Sequence, residues 1–461
     1  MADGIDLHGR RVLVVGLART GLATVKFLVK RGAIVSASES KLEEEMKEVG
    51  QELRRMSISL EWGRHTVKHF LNQDLIILSP GVDPTLEPIQ KALEHGVKVI
   101  GDLELASQFI RVPMIAITGT NGKTTTTLLI GEMLKEGGKK TGVGGNIGEP
   151  LILFAEEGSR WEVLVVEASS FQLEGIDTFR PRCSIFLNIT EDHLDRHPTF
   201  EDYTQAKLRI FKNQGAEDLA ILNQDDPIVM KHEKGVRAKK FFFSLKEALA
   251  EGCFFNGEEI ILRLRGGEEP YSLSQSPLKG IHNVENMMAA ILAARLFDVS
   301  KEAIQRTLNR FRGLEHRLEF VREIEGVSYY NDSKGTNVGS VIKSLQSFKS
   351  PVILIAGGKD KHTDLTPLRE LIKERVKRMI LIGEAGERMA GEWGALTDTV
   401  MAGTLEEAVH LAYQSAKKGE VVLLSPACSS FDMFKDYKER GEAFKKAVLT
   451  LSTNNQAPSS K

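Results

Sequence analysis

The sequence predicts an α/β protein of three domains. These are an N-terminal Rossmann-like domain, a central P-loop ATPase-type parallel sheet and a C-terminal Rossmann-like domain, expected over residues 1–107, 108–313 and 314–461. Three observations predict this. The chain has 461 residues, too many for one ordinary core. Strand–glycine–helix units punctuate it three times, and apolar runs alternate with helix-patterned stretches, as in doubly wound parallel sheets. One glycine loop, Gly119-Thr120-Asn121-Gly122-Lys123-Thr124, runs from a strand into a helix N-terminus, the geometry that collects phosphate oxygens on backbone N–H groups.

In the first unit, Arg11–Gly16 reads as a strand, Gly21–Arg31 as a helix, and Ile34–Ala37 and Leu75–Leu78 as further strands before Ser79-Pro80-Gly81-Val82-Asp83-Pro84. The stretch Gly16–Gly21 is similar to a dinucleotide fingerprint but has Ala18 where backbone must come closest to a pyrophosphate. Glu39 lies at the distance of a ribose contact. A tight turn without nucleotide, a nucleotide diphosphate site and a redox cofactor site all stay open here. In the second unit the strands are Met114–Ile117, Glu162–Glu167, Cys183–Ile189 and Leu219–Asn223. In the third they are Ser328–Asn331, Pro351–Gly358, Arg378–Gly383 and Glu420–Ser425. The tail Ser452–Lys461 reads as disordered.

Hydrophobic content of 41%, charged content of 27% and a formal charge of −2 fit an enzyme and give no sign of a nucleic-acid or membrane surface. The basic stretch Lys231–Lys240 reads as a solvated face. Cys183, Cys253 and Cys428 are far apart without a CxxC pair, which argues against a disulfide framework or zinc site and for a reducing cytoplasm. No window approaches roughly 18 uninterrupted apolar residues, and Met1-Ala2-Asp3-Gly4 opens no signal segment. The lack of an obvious exposed apolar helix favours a monomer.

The glycine loop carries the strongest chemistry. Only Thr120 and Asn121 separate Gly119 from Gly122, a shorter spacing than G-x-x-x-x-G-K-[ST], yet strand, glycine turn, lysine and hydroxyl keep the required order. Lys123 would neutralise the outer phosphates and Thr124 would ligate Mg²⁺. Glu167 closes an apolar strand, where a carboxylate suits a metal or caps a local turn. Asn188–His197 gathers Asp192, His193, Asp195 and His197 at another strand end. Lys207 follows on a helix; alone, it reads as surface charge. Asn283 and Asn286 share one helix face and either bracket an adenine or form an exposed polar stripe. Arg317, Asp332, Lys334, Thr336, Lys359, Lys361, Ser429 and Ser430 are weak singly, but together they cluster at strand ends of one domain.

Taken together, Gly119–Thr124, Glu167–Leu173, Asn188–His197, Lys207, His282–Asn286, Glu315-His316-Arg317 and Asn331–Lys334 resemble the Mur ligase family, ATP-dependent amino-acid ligases of peptidoglycan precursor synthesis. The resemblance spans essentially the whole chain in the right order. It implies a UDP-binding domain, a central ATPase and a C-terminal domain that close around the substrates. Four stretches, "SPGVDP", "GGNIGEPL", "NDSKGTNVGS" and "LLSPACSSFDMFKDYKERGEAF", are most similar to members that add D-glutamate to UDP-N-acetylmuramoyl-L-alanine. The implied chemistry activates the alanyl carboxylate as an acyl phosphate, which the incoming amine then attacks.

The same resemblance implies residue roles. Gly119, Thr120, Asn121, Gly122, Lys123, Thr124 and Thr125 would hold ATP, with Asn283, Asn286, Arg317 and Asp332 as further nucleotide contacts. Thr124, Glu167, His193 and Lys207 would serve two Mg²⁺ sites, Lys207 as a carbamate formed with carbon dioxide. Lys123, Glu167, His193 and Lys207 form the implied catalytic set. Arg19, Thr20, Ser79 and Asn146 would meet the UDP-linked substrate, with Ser38 near the uridine. Lys334, Thr336, Lys361, Ser430 and Tyr437 would meet D-glutamate. The family pattern has glycine before the substrate lysine and phenylalanine at the aromatic site, whereas Asp360 and Tyr437 stand here, and Lys359 is a second lysine two residues away.

Competing readings are a sister ligase adding another amino acid, a folate polyglutamate ligase, a Rossmann dehydrogenase and a nucleotide-regulated binding protein. The extra domain from Ile5 to about Leu105 weakens the folate reading. The Lys123 loop weakens the dehydrogenase, and the absence of an Asp-Asn-Pro-Arg type motif weakens a diamino-acid ligase.

Overall fold

Buried β-branched and leucine runs set the strands of the computed structural model, which describes residues 5–56, 58–190, 192, 196–278, 280–313, 315–348, 350–360 and 363–451. His193, Asp195, Lys361 and the tail Ser452–Lys461 lie outside the described residues. Among the described residues there are three sheets. The first comprises β1 (Arg11–Val15), β2 (Ile34–Glu39), β3 (Ser59–Trp62), β4 (Leu75–Leu78) and β5 (Lys98–Gly101), in the order β3-β2-β1-β4-β5 with every pairing parallel.

The second sheet comprises β6 (Met114–Thr118), β7 (Thr141–Gly145), β8 (Val163–Glu167), β9 (Cys183–Phe186), β10 (Leu219–Asn223), β11 (Lys239–Ser244), β12 (Gly252–Phe255), β13 (Glu259–Leu264) and β14 (Gly267–Ser272). Their order is β14-β13-β12-β11-β10-β9-β6-β8-β7. The third comprises β15 (Glu319–Ile324), β16 (Val327–Asn331), β17 (Val352–Gly357), β18 (Val376–Ile382), β19 (Asp398–Met401) and β20 (Val421–Leu424), ordered β15-β16-β20-β17-β18-β19.

The chain divides into two compact units, Met1–Gln275 with Asn283–Asn309, and Ser276–His282 with Arg310–Lys461. The first unit holds two sheets because one apolar cluster runs through both, from Val12 and Val14 through Leu103 and Leu105 to Leu164 and Val166. Polar contacts reinforce the join. Glu104 is fully buried, and its Oε2 accepts the N–H groups of Asp177, Thr178 and Phe179 at 2.8–2.9 Å. Gly101 and Gly175 touch backbone to backbone, leaving no room for a Cβ on Gly175.

In the second unit, alternate residues of β17 face opposite cores. Leu354 joins Leu381, Leu423 and Trp393, while Ile353 and Ile355 join Ile380, Ile382 and Phe444. That arrangement is a sheet covered on both faces.

Several strands depart from the sequence expectation. β7 reads Thr-Gly-Val-Gly-Gly and was not among the expected strands. Its glycines are required because Cβ atoms at Gly142 and Gly144 would press into Phe154 at 2.8 and 2.5 Å. β3 and β19 are short edge strands without an apolar run. β12–β13–β14 and β15–β16 pair antiparallel, so two of the sheets are mixed rather than purely parallel. Among the described residues, Cys183, Cys253 and Cys428 are free and buried, and no helix is long and apolar enough to cross a membrane.

Candidate functional site

β6 is buried along its whole length and delivers the chain to the glycine loop. Gly119 takes φ 147° and Gly122 φ 81°, conformations that favour glycine. A Cβ on Gly122 would sit 2.1 Å from Asn286 Oδ1, so glycine also permits this close approach. Asn188 clamps the loop, its Oδ1 accepting from Asn121 N at 2.8 Å and its Nδ2 donating to Asn121 O at 3.1 Å. Lys123 opens the helix Lys123–Glu136 and curls back, Nζ donating to Gly119 O at 2.9 Å and Thr120 O at 3.0 Å. Thr124 is buried and Thr125 half-buried on the same first turn.

Asn283 and Asn286 pack against that helix. Thr126 Oγ1 donates to Asn286 Oδ1 at 3.3 Å, and Asn286 Nδ2 donates to Asn283 Oδ1 at 3.2 Å. With 6% and 5% exposure, they are not an exposed stripe.

Glu167 ends β8 at 1% exposure. Its Oε1 accepts from Asn146 Nδ2 at 2.8 Å, while Oε2 is buried without a hydrogen-bond partner. A buried carboxylate oxygen left unpaired is costly, which fits a position completed by a cation. Lys207, on the helix Phe200–Leu208, is equally buried; its Nζ donates to Gly119 O at 2.9 Å and lies 4.6 Å from the Tyr203 ring centroid. Burial, then the nearby Lys123 cation, hold its pKa well below the ordinary lysine value, against the opposing pull of Asp192 and Glu167. Lys123, Glu167, Lys207 and Asp192 thus form one electrostatic cluster. His197 is buried beside it, stacked on Phe171 with Nε2 3.1 Å from Ser170 Oγ.

In the first sheet, Arg19 and half-buried Thr20 begin the helix Arg19–Lys30. Arg19 reaches the loop after β7, donating to Gly148 O at 2.6 Å and Glu149 Oε1 at 2.5 Å. Ser79 follows β4 and donates to Gly16 O at 2.8 Å, and Ser38 Oγ lies 2.7 Å from His65 Nδ1. Glu39 is turned inward. Burial pushes its pKa up, but the N–H groups of Leu17 and Lys41 and the Ser40 hydroxyl outweigh this and hold it low. In this structure Glu39 fastens the Gly16 turn.

The second unit gathers Asp332, Lys334, Thr336, Ser430 and Tyr437 where β16, β17 and β20 end. Asp332 is 3% exposed and accepts from Ser344 Oγ at 2.6 Å, Ser425 Oγ at 2.7 Å and Leu318 N at 3.3 Å. Burial pushes its pKa up to about 6. Lys334 Nζ lies 5.9 Å from the Tyr437 ring centroid. Arg317 is exposed within electrostatic range of Asp332. Thr336 is half-buried, and Ser430 is buried in the loop after β20. Lys359 pairs with Glu384 at 2.5 Å, and Asp360 accepts both arms of Arg388. The departure from glycine at 360 therefore builds an ion pair.

Three family models match the chain: Mur ligase MurD-like, N-terminal domain over residues 10–101, Mur ligase middle domain over 117–294, and Mur ligase, glutamate ligase domain over 316–428. The chain belongs to the Mur ligase family. This Mur ligase is 52% identical to a UDP-N-acetylmuramoylalanine–D-glutamate ligase of Geotalea daltonii, over 97% of this chain and 99% of the relative. It is 50% identical to the enzyme of that name from Geobacter metallireducens, over 98% and 100%. Among solved structures, it is similar in fold to a UDP-N-acetylmuramate-alanine ligase, MurC, of Thermotoga maritima. The TM-score is 0.57 at 18% identity, covering 96% of this chain and 100% of that one.

Sequence reading missed Asn188 as the loop clamp, Tyr203 against Lys207, and Arg440. For Asn188 the signal was present, an amide at the end of the strand beside the phosphate loop. For Tyr203 and Arg440 nothing local marked them.

Proposed function

We propose that this Mur ligase joins D-glutamate to UDP-N-acetylmuramoyl-L-alanine at the expense of ATP, in peptidoglycan precursor synthesis. One observation carries the reading. A phosphate loop, a buried carboxylate with a free oxygen and a buried lysine biased toward its neutral form share one cluster. The chain that holds them is half-identical, end to end, to ligases of that name.

The chemistry follows from what the carboxylate lacks. It offers no usable leaving group, so one of its oxygens attacks the terminal phosphorus of ATP and ADP departs. The D-glutamate amine adds to the resulting acyl phosphate, giving a tetrahedral intermediate. Collapse breaks the C–O bond, releases phosphate bearing a former carboxylate oxygen, and leaves the amide once the amine proton is lost. Gly119–Thr125 would cradle the phosphates by backbone N–H groups, with Lys123 countering the charge that develops. Asn283 and Asn286 would fix the nucleotide against the same helix.

Thr124 and Glu167, with His193 as the resemblance implies, would hold two Mg²⁺ ions, which when bound supply charge neutralisation to the phosphates. Lys207, as a neutral amine, would take up carbon dioxide, forming an N–C bond and releasing a proton. The carbamate anion would then serve the same ions. Arg19, Thr20, Ser79 and Asn146 are proposed for the UDP-linked substrate, and Lys334, Thr336, Lys361, Ser430 and Tyr437 for D-glutamate. We also propose the division at 107/108 and 313/314, which keeps each sheet in one segment, and a cytoplasmic monomer.

The mechanism is tested with substrate carrying ¹⁸O in the alanyl carboxylate. Inorganic phosphate gaining one ¹⁸O per amide is the expected result. Unlabelled phosphate would mean that water, not the carboxylate, takes the phosphoryl group.

A further inference from the structure

The C-terminal edges of β16, β20 and β17 lie side by side, and the crevice outside such edges is where α/β sheets hold ligands. Beneath it lies Arg440, on the helix Tyr437–Thr450, at 1% exposure. Its guanidinium touches the loop after each strand. Nε donates to Ser333 Oγ at 3.0 Å and Nη2 to Ser333 O at 2.9 Å, both just beyond β16. Nη2 also donates to Cys428 O at 3.1 Å and Nη1 to Ser429 O at 3.2 Å, beyond β20. Beyond β17, a Cβ on Gly358 (φ 135°) would come within 3.0 Å of Nη1, so a glycine lets that loop lie against the arginine. Ser333 Oγ closes the ring by donating to Tyr437 O at 2.7 Å.

We propose that Arg440 is a positioning residue for the acidic amino-acid substrate, locking together the loops that carry Lys334, Thr336 and Ser430. The inference rests on the D-glutamate reading above. Two features set it apart from ordinary core packing. A planar five-donor fork holds carbonyls of two separate loops and a hydroxyl in one fixed geometry. A buried guanidinium is also expensive to keep; it donates to carbonyls and a hydroxyl, with Asp332 and Asp432 acting on it only electrostatically. Burial lowers its pKa to about 10, so it remains charged at neutral pH. That fixed positive charge lies under a crevice proposed to receive a dicarboxylate.

The test varies D-glutamate at saturating ATP and UDP-linked substrate in R440K, R440Q, S333A and V448A. The account expects R440K and R440Q to raise the KM for D-glutamate at least ~10-fold while moving the KM for ATP less than ~2-fold. S333A, which removes one hydroxyl from the ring, should raise it about 3-fold and remain folded. V448A, buried in the same helix away from the loops, should lower the melting temperature but leave the KM for D-glutamate unchanged. An unaltered KM in a folded Arg440 variant overturns the inference, as does an unaltered S333A if neither Arg440 variant folds, or a V448A that shifts the KM equally. A wild-type enzyme that makes no D-glutamate adduct overturns this inference and the proposed function together.

Discussion

At Lys207 burial decides the chemistry. A lone lysine on a helix reads as surface charge, and nothing within the helix says otherwise. Its burial comes from docking against Gly119, 88 positions away, so only the resemblance, not the spacing, pointed to it. The lowered pKa leaves more neutral amine at neutral pH, the form that adds carbon dioxide. With ¹³C-bicarbonate, the wild-type protein is expected to show a carbamate resonance that Lys207→Arg lacks; an active wild type without it would contradict the carbamate. Asp102 gives a pH prediction. Burial raises its pKa from 3.8 to about 6, and Gln172 offsets only part of this. Because the folded value lies above the unfolded one, the group's contribution is fully present below 3.8 and is lost as pH rises through about 6. The stability of Asp102→Asn relative to wild type should therefore grow between pH of about 4 and 6, by on the order of 3 kcal/mol, then stay flat. Urea unfolding across that range checks it, and a pH-independent difference would contradict it.

The glycine loop and its helix were legible as one element because the order of strand, turn, lysine and hydroxyl is imposed by phosphate binding itself. The positive φ of Gly122 and its contact with Asn286 make the element intolerant of a side chain. Gly122→Ala should cost about 1–3 kcal/mol of stability and weaken ATP binding, since Asn286 must move. Calorimetry and nucleotide titration showing wild-type values for both would contradict the geometry. β7 was illegible for the opposite reason. Its glycines serve close packing against Phe154 rather than a turn, and one-dimensional pattern cannot distinguish the two. The antiparallel β12–β14 run was likewise hidden, because a sheet's pairing direction is set by partners and not by a strand's own residues.

For the whole molecule, alternation of apolar runs with helices was enough to read three α/β sheets, because burial on both faces leaves that pattern in sequence. The merging of the first two sheets into one unit was not readable. It depends on Glu104 meeting three N–H groups more than 70 positions away and on the Gly101–Gly175 contact. The proposed amino-acid site was readable only in part, since Lys334, Thr336 and Ser430 are brought near one another by loops that share Arg440 as a hydrogen-bond donor. The most direct test of the central claim is the product mass after incubation with ATP, Mg²⁺, UDP-N-acetylmuramoyl-L-alanine and a panel of D- and L-amino acids. The account predicts one new species, heavier by a single glutamate residue and formed with D-glutamate alone. Addition of a different amino acid, or ATP hydrolysis with no adduct, would contradict it.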